Sequence, residues 1–557
     1  MKQELEQLFA DVIKNVFDIE TKVVLTRPEP KFGDFATNIA LQLVKQVGDN
    51  PRTIAQKICD GLKHDAIAET SIAGPGFINM SLSSSAVNTL LRSEPKKLLK
   101  GKTVVAEYSD PNPFKVLHAG HLYTSLVGDA ISRLLDAAGA NVKRVNFGGD
   151  VGLHVGKAMW AIIKKLEGEN PDALNSVDSN TRAQWVSQRY VEGNTAYETS
   201  EEAKQEIVAC NKRVYELHQQ GDKDSAFAKI YWTCRQWSYD GFEELYEKLG
   251  MVPFDKYYPE SVTTQPGIDS VNQGLEQSVF TKSNDAVVYE GDESKGLHTR
   301  VFITSEGLPT YETKDLGLAK SKWLDFKFDQ NIIITGNDII DYMRVVLDVL
   351  GNFYPEIASR TTHLTHGMIK LSGGAKMSSR KGNVLLASDV IGSATTAANT
   401  ASENNDDYVV IGAIRYAFFK QSIGGDIIYD PQESVSLHGN SGPYLQYAHA
   451  RASSIISNKQ RIDESSLESI VFEAEESLMV RKLSEFAETV EHAIAELAPH
   501  HLCNYLYELT QEFNRYYEKN RVLGSDKEEM RLALVQCYRR RLGEGLRLLG
   551  IHAPDKM

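Results

Sequence analysis

The chain holds 557 residues with a net charge of −14, too long for one core when domains usually hold roughly 100–200 residues. No apolar run approaches the roughly 18–20 residues that span a bilayer, and the five cysteines form no Cys-x-x-Cys pair, which argues against a membrane partner, a structural zinc and a disulfide framework. The acidity counts only mildly against an RNA partner: residues 161–260 carry 18 acids against 12 bases, and a net value does not locate charge. Residues 1–95 read as a small α+β domain. Leu5, Leu8, Phe9, Val12 and Ile13 recur at helical spacing. The start is an acidic amphipathic helix rather than an export signal, and a cytoplasmic protein is expected. A strand is predicted at 22–25, helices at 37–47 and 51–62, and a strand over 72–82 around Pro75-Gly76. Lys96, Lys97, Lys100 and Lys102 make a basic linker.

Residues 103–109 read as a buried strand, 122–138 as an amphipathic helix stopped by Gly139, and 142–147 as a second strand. Strand, turn, helix and strand make a βαβ unit and hence a parallel sheet. The turn holds His118, Gly120 and His121 at a strand's C-terminal end and a helix N-terminus, where open α/β sheets bind phosphates. Two imidazoles there offer donors that follow charge onto phosphate oxygens, and Gly120 lets a nucleotide lie against the backbone. The alternative is two surface histidines at a cap. Glycine-rich 146–156 either lets backbone approach a ligand or is an ordinary βα turn. Residues 157–255 read as an acidic helical insertion, in which Trp232, Trp237, Tyr239 and Phe242 suit a core better than an RNA platform.

The sheet is predicted to resume with a hairpin at 286–289 and 300–303. Tyr311 and Asp315, four apart, share a helix face, and Glu107 ends the first strand. A planar, permanently charged guanidinium asks for such carboxylates and hydroxyls; the plainer reading of Asp315 is a helix-start acid on the dipole. Residues 331–338 form another buried strand ending in Gly336, Asn337 and Asp338, with a helix following through 350. Lys376-Met377-Ser378-Ser379-Arg380-Lys381 is a cationic turn, fit to close over a triphosphate or merely solvated. Residues 393–407 are a linker or a poorly capped helix, and 408–557 a helical bundle whose last helix, from 531, carries exposed Arg531, Arg539, Arg540, Arg541 and Arg547.

An early His-x-Gly-His paired with a late Lys-Met-Ser-Ser resembles the class I aminoacyl-tRNA synthetases. The segment Glu107 to His118, the stretches 33–40 and 74–79, Ser441 to Arg451 and 513–522 are similar, in order, to the arginyl-tRNA synthetase family. The resemblance implies a multidomain α/β protein: an N-terminal α+β tRNA-contacting domain (1–95), a Rossmann-like parallel-sheet catalytic domain (103–390) and an α-helical anticodon-binding domain (408–557). It implies ligation of L-arginine to tRNA(Arg) with ATP and Mg²⁺ as substrate, by a monomer without a DNA partner. His118, His121, Lys115, Lys376 and Lys381 are the implied catalytic residues. Gly120, Met377, Ser378, Ser379, Gly336 and Asn337 would meet ATP, and Glu107, Ser109, Asn112, Tyr311 and Asp315 arginine. Phe32, Phe35 and Asn79, with Tyr444, Gln446, Tyr447, His449 and Arg451, are candidates for RNA contact, though the phenylalanines and tyrosines equally suit a core. Where the family often has Gln or His, this chain has Ile339, and Asn337 or Asp338 is the candidate replacement. A synthetase of another specificity and a non-catalytic tRNA-binding relative are the alternatives.

Overall fold

The computed structural model describes residues 1–372, 385–401, 406–457, 462, 464–467 and 472–557. The N-terminal module opens with helix α1 (Lys2–Phe17), whose Leu5, Phe9, Val12 and Ile13 form its buried face. The predicted strand at 22–25 is extended chain with a single bridge from Thr26 to Ala36. The predicted 37–47 helix is strand β1 (Phe35–Thr37) and two short helices, α2 (Ile39–Gln42) and α3 (Val44–Val47). Thr37 pairs with Ile78 in the sheet, which delays the helix start. Helix α4 (Pro51–Gly61) follows, with Asn50 as N-cap. The predicted single strand is a hairpin of β2 (Ile67–Ala73) and β3 (Phe77–Leu82), reversed at Gly74 and Gly76, both at positive φ. Helix α5 (Ser84–Arg92) closes the module.

The parallel sheet is built on β4 (Thr103–Glu107), helix α6 (Ala119–Ala137) and β5 (Asn141–Gly148), the βαβ unit predicted. Helices α7 (Leu153–Lys165), α8 (Arg182–Thr199), α9 (Glu201–Gln220) and α10 (Ala226–Lys248) form the insertion, around a core that includes Phe114, Met159, Tyr231 and Trp237. Next come β6 (Lys256–Pro259) and α11 (Glu260–Glu276). The hairpin of β8 (Ala286–Tyr289) and β9 (Arg300–Ile303) does not resume the parallel sheet; with β7 (Thr281–Ser283) it makes a separate antiparallel one. Helix α12 (Tyr311–Phe326), β10 (Gln330–Gly336), α13 (Ile340–Phe353), α14 (Pro355–Ser359) and β11 (Thr361–His366) complete the domain's order. The main sheet runs β11-β10-β4-β5-β6, every pair parallel. Val104, Val105 and Ile334 are fully buried, as both faces of a helix-covered parallel sheet require. Strand order reverses between β10 and β4, so the crevice at their C-terminal ends is the switch point where such sheets take ligands.

Strand β12 (Ile369–Leu371) and helix α15 (Ala387–Ala401) lead to α16 (Asp407–Phe419) and β13 (Ile427–Tyr429), which pairs with β12. Helices α17 (Pro431–Ser434), α18 (Gly442–Ile456), α19 (Ala474–Ser484), α20 (Phe486–Ala495), α21 (Pro499–Lys519) and α22 (Glu528–Leu548) form the C-terminal bundle. Arg415 of α16, fully buried, pairs with buried Asp129 of α6 at 2.9 Å and donates to Leu249 O and to Leu549 O at the end of α22, tying sheet helix, insertion and bundle together.

The exposed-arginine expectation for α22 is overturned. Arg531 pairs with buried Glu476, Arg539 with Asp555, and Arg540 with Glu464. Arg541 is wholly buried: it meets Glu94 at 3.0 Å and Glu544 at 2.9 Å, and donates to Leu91 O and Ser93 O. Of the five, Arg547 alone is exposed. These cations fasten α22 to its neighbours instead of facing RNA. Arg541→Lys keeps the charge but loses the fork, and should lower stability by about 2 kcal/mol. An unchanged thermal midpoint would mean that this seam contributes nothing.

Candidate active site

The segment after β4 is backbone under constraint. Ser109, Asp110 and Phe114 all sit at positive φ, at 76°, 48° and 67°, although none is glycine. Such conformations cost about 1–3 kcal/mol each and persist only where surroundings enforce them. The Ser109 hydroxyl lies 2.7 Å from both Tyr246 Oη and Ser125 Oγ. Asp110 accepts from Phe147 N–H at 2.7 Å, Asn112 from Gly149 N–H at 2.8 Å, and Phe114 N–H donates to Ser238. The glycine-rich turn therefore holds the chain's own loop. A Cβ on Gly148 would stand 2.5 Å from Pro111 O, and one on Gly149 2.6 Å from Asn112 Oδ1. Ser109 and Asn112, expected at the substrate, hold this loop.

His118 is the N-cap of α6. Its Nδ1 accepts from His121 N–H, and His121 Nδ1 accepts from His118 N–H, both at 3.3 Å; the two rings stack at 3.7 Å. Burial and then Lys115 hold His118 below its ordinary pKa, and burial and then His118 hold His121 well below it, so the neutral form prevails at pH 7. With each Nδ1 engaged as an acceptor, the proton resides on Nε2. The cap thus fixes two Nε2–H donors at a helix N-terminus. Gly120 is needed for the chain itself, since a Cβ there would lie 2.9 Å from the His118 ring. Lys115, its pKa lowered by burial and Lys157, lies 5.3 Å over the Tyr190 ring.

Lys376, Met377, Ser378, Ser379 and Lys381 lie outside the described residues. The chain that leaves this stretch re-enters at Leu385 directly against the histidine cap. Ala119 N–H donates to Leu385 O at 2.7 Å, Ala387 N–H to Leu117 O at 2.9 Å, and Leu386 bridges His118. Gly336 ends β10 and Asn337 opens the 3-10 turn after it, in which the Asp338 charge acts on His118.

A group of carboxylates gathers at the end of β4, where the Glu107, Asp110 and Asp315 charges act on one another. Glu107 and Asp315 line one small cavity of about 20 Å³ with Lys322 and Asn331. Glu107 is buried and already paired with buried Lys322, and Glu260 with Lys314 at 2.6 Å, so neither is a free anion. Asp315 accepts from the Tyr342 hydroxyl. Tyr311, expected to supply that hydroxyl, is 59% exposed on the first turn of α12, 5.1 Å from Lys314 Nζ. Burial raises Asp315 to about 7 against the pull of Tyr342, and the Glu107 and Glu260 charges add to the rise. Asp110 is raised well above its ordinary range by burial and then by Glu107 and Asp315. Asp110, Tyr342 and Lys322 were missed in the sequence.

Among the RNA candidates, Phe32 is exposed, with Lys31 Nζ 4.8 Å over its ring. Phe35 is fully buried beneath Arg27, and Asn79 is buried in the middle strand of its sheet, so neither presents itself to RNA. Gln446 is also buried: it donates to Tyr408 O and His552 O, while His449 bonds Pro554 O, so both pin the C-terminal tail. Tyr444 Oη accepts from Asn514, Tyr447 is exposed, and Arg451 lies 4.5 Å over the Tyr517 ring.

Three family models match the chain: the arginyl-tRNA synthetase N-terminal domain over residues 3–82, the class I (R) tRNA synthetase catalytic domain over 86–429, and the DALR anticodon-binding domain over 445–557. A relative named arginine–tRNA ligase from Treponema denticola is 31% identical over 546 residues, 92% of this chain and 90% of its own. One of the same name from Bacteroides fragilis is 29% identical over 578 residues, 96% of each. The arginyl-tRNA synthetase of Thermus thermophilus superposes with a TM-score of 0.82 at 24% identity over the whole of both chains, and that of Plasmodium falciparum with 0.79 at 22%, over 100% of this chain and 99% of its own. The two structures give the fold alone. A catalytic-domain model that takes in the histidine cap, the carboxylate group and every strand of the parallel sheet settles the lineage: the chain belongs to the class I arginyl-tRNA synthetase family.

Proposed function

We propose that the chain is an arginine–tRNA ligase, and that one observation carries the specificity: Asp110, Asp315 and Glu107 gather so closely that desolvation and their neighbours' charges hold the Asp110 and Asp315 carboxyls above the ordinary range. A guanidinium placed between the aspartates relieves both burial and repulsion, whereas a neutral side chain relieves neither. An oxygen of the arginine carboxylate attacks the α-phosphorus of ATP, which arrives as its Mg²⁺ complex, and pyrophosphate leaves. The 2′-hydroxyl of the terminal tRNA adenosine then takes the arginyl group, and AMP departs. His118 and His121 give their Nε2–H groups to phosphate oxygens as charge builds there. Lys115 adds charge, and Lys376 and Lys381 hold the leaving pyrophosphate. Most of the rate comes from holding carboxylate and phosphorus in line.

Residues 1–95 would touch the tRNA body through exposed Phe32, 103–390 would do the chemistry, and 408–557 would meet the anticodon through Tyr447 and Arg451. We place the protein in the cytoplasm as a monomer. The five unpaired cysteines and exposed apolar side chains scattered over many elements support this. Among the described residues no helix is long and apolar enough to cross a membrane. Aminoacylation of total tRNA with each of the twenty labelled amino acids tests the reading. Arginine alone should charge; another amino acid would overturn the guanidinium site, and tRNA binding without charging would favour a non-catalytic relative.

A further inference from the structure

The corner between α20 and α21 gathers three side chains of metal-ligand type. His492 comes from the last turn of α20, Glu496 caps that helix, and His501 lies in the first turn of α21. His492 Nε2 is 3.0 Å from Glu496 Oε1, and His501 Nε2 is 2.7 Å from Glu496 Oε2. The two imidazoles stack with centroids 4.1 Å apart, and one ligand atom from each of the three residues falls within 4.8 Å of the others. A third imidazole, His500, lies tilted against His501 with centroids 4.1 Å apart, and its shielded Nδ1 has no hydrogen-bond partner. The connecting residue, Leu497, is held at a φ of 52°. Backbone strain therefore goes with the convergence of these side chains.

We propose that His492, Glu496 and His501 form a binding site for a divalent transition-metal ion of the zinc class. Two imidazole nitrogens and one carboxylate suit zinc, copper or nickel and are wrong for calcium or magnesium, which take oxygen ligands. Zinc needs nitrogen and oxygen ligands at about 2.0–2.2 Å. Small rotations of half-exposed side chains close the 4.8 Å cluster to that range. On binding, each Nε2 turns from Glu496 to the ion; the proton it holds toward the carboxylate passes to water or moves to Nδ1, which frees the Nε2 lone pair as ligand. Three protein ligands leave a fourth position for water.

The place gives the site a purpose. His492 and His501 line a cleft of about 630 Å³ between the N-terminal module and the bundle. One turn earlier on α20, Glu488 holds Lys2 at 2.7 Å and Arg27 at 3.3 Å. An ion at the corner would staple α20 to α21 and stiffen the platform on which the N-terminal module rests.

The test uses the untagged full chain, stripped with chelator and titrated with zinc chloride by calorimetry. One equivalent should bind and raise the thermal midpoint. His492→Ala, Glu496→Gln and His501→Ala should each weaken binding by about tenfold or more, with metal-free midpoints unchanged because none of the three is in the core. Cobalt should give a d–d absorption in the native chain that the variants lose. No saturable uptake by the native chain would overturn the proposal. So would unchanged uptake by the His492→Ala/His501→Ala double variant, which would put the ion elsewhere, for instance on the half-buried Cys59 thiol.

Discussion

Asp315→Asn is expected to raise the KM for arginine about 100-fold or more while leaving that for ATP nearly unchanged, measured by arginine-dependent ATP–pyrophosphate exchange. Truncating one partner of a buried, hydrogen-bonded charge pair costs roughly 2–5 kcal/mol. Asn keeps an acceptor for the Tyr342 hydroxyl, so the pocket should hold its shape. A pH dependence follows from the same group. Asp315 titrates near 7 in the free protein, above its ordinary value. Its ionised form therefore costs stability as pH rises from the ordinary carboxylate range toward 7, and this cost is absent below that range. Arginine requires the ionised form. Its affinity should rise by up to about tenfold per pH unit below 7 and level off above, since one unit is 1.36 kcal/mol. Calorimetry from pH 5.5 to 8 reads this slope, and the Asn variant should flatten it. Asp110 is raised as well, by burial and then by the Glu107 and Asp315 charges. An unchanged arginine KM in the variant would remove Asp315 from the guanidinium site.

The first βαβ unit was legible because a parallel strand covered on both faces reads as an unbroken apolar run, and the helix between showed its period over 122–138, against an observed Ala119–Ala137. The N-terminal module was less so: Gly74 and Gly76 turn one apolar stretch into two strands, and Thr37 goes to the sheet although its neighbours favour helix. The histidines were found, but not their reciprocal cap. An N-cap usually signals itself by Ser, Thr, Asp or Asn, and here the imidazoles do that work. Asp110 lay in plain sight and was passed over because Asp-Pro reads as a turn. Tyr342 approaches Asp315 from another helix, and only the fold brings it there. The α22 arginines misled for a similar reason. A sequence gives the count of charges and not their partners, and Glu94 lies 447 residues before Arg541.

His118→Asn should separate the structural from the chemical use of the histidine cap. Asn is among the best N-cap residues, so its side chain can take over the acceptor that His118 Nδ1 offers to His121 N–H. The reverse bond, from His118 N–H to His121 Nδ1, belongs to the backbone and survives. Stability should change little. The Nε2–H donor is lost, however, and removal of one preorganised donor to a developing oxyanion typically lowers kcat about 10²–10³-fold. Arginine KM should stay near the native value, because Asp315 and Asp110 are untouched. His118→Ala removes both uses and should lose about a further 1 kcal/mol of stability through the missing cap. Thermal midpoints with pyrophosphate-exchange kinetics on the two variants separate the contributions. A native kcat in His118→Asn would mean that the imidazole is only a cap, and that phosphate charge is met by His121 and the lysines.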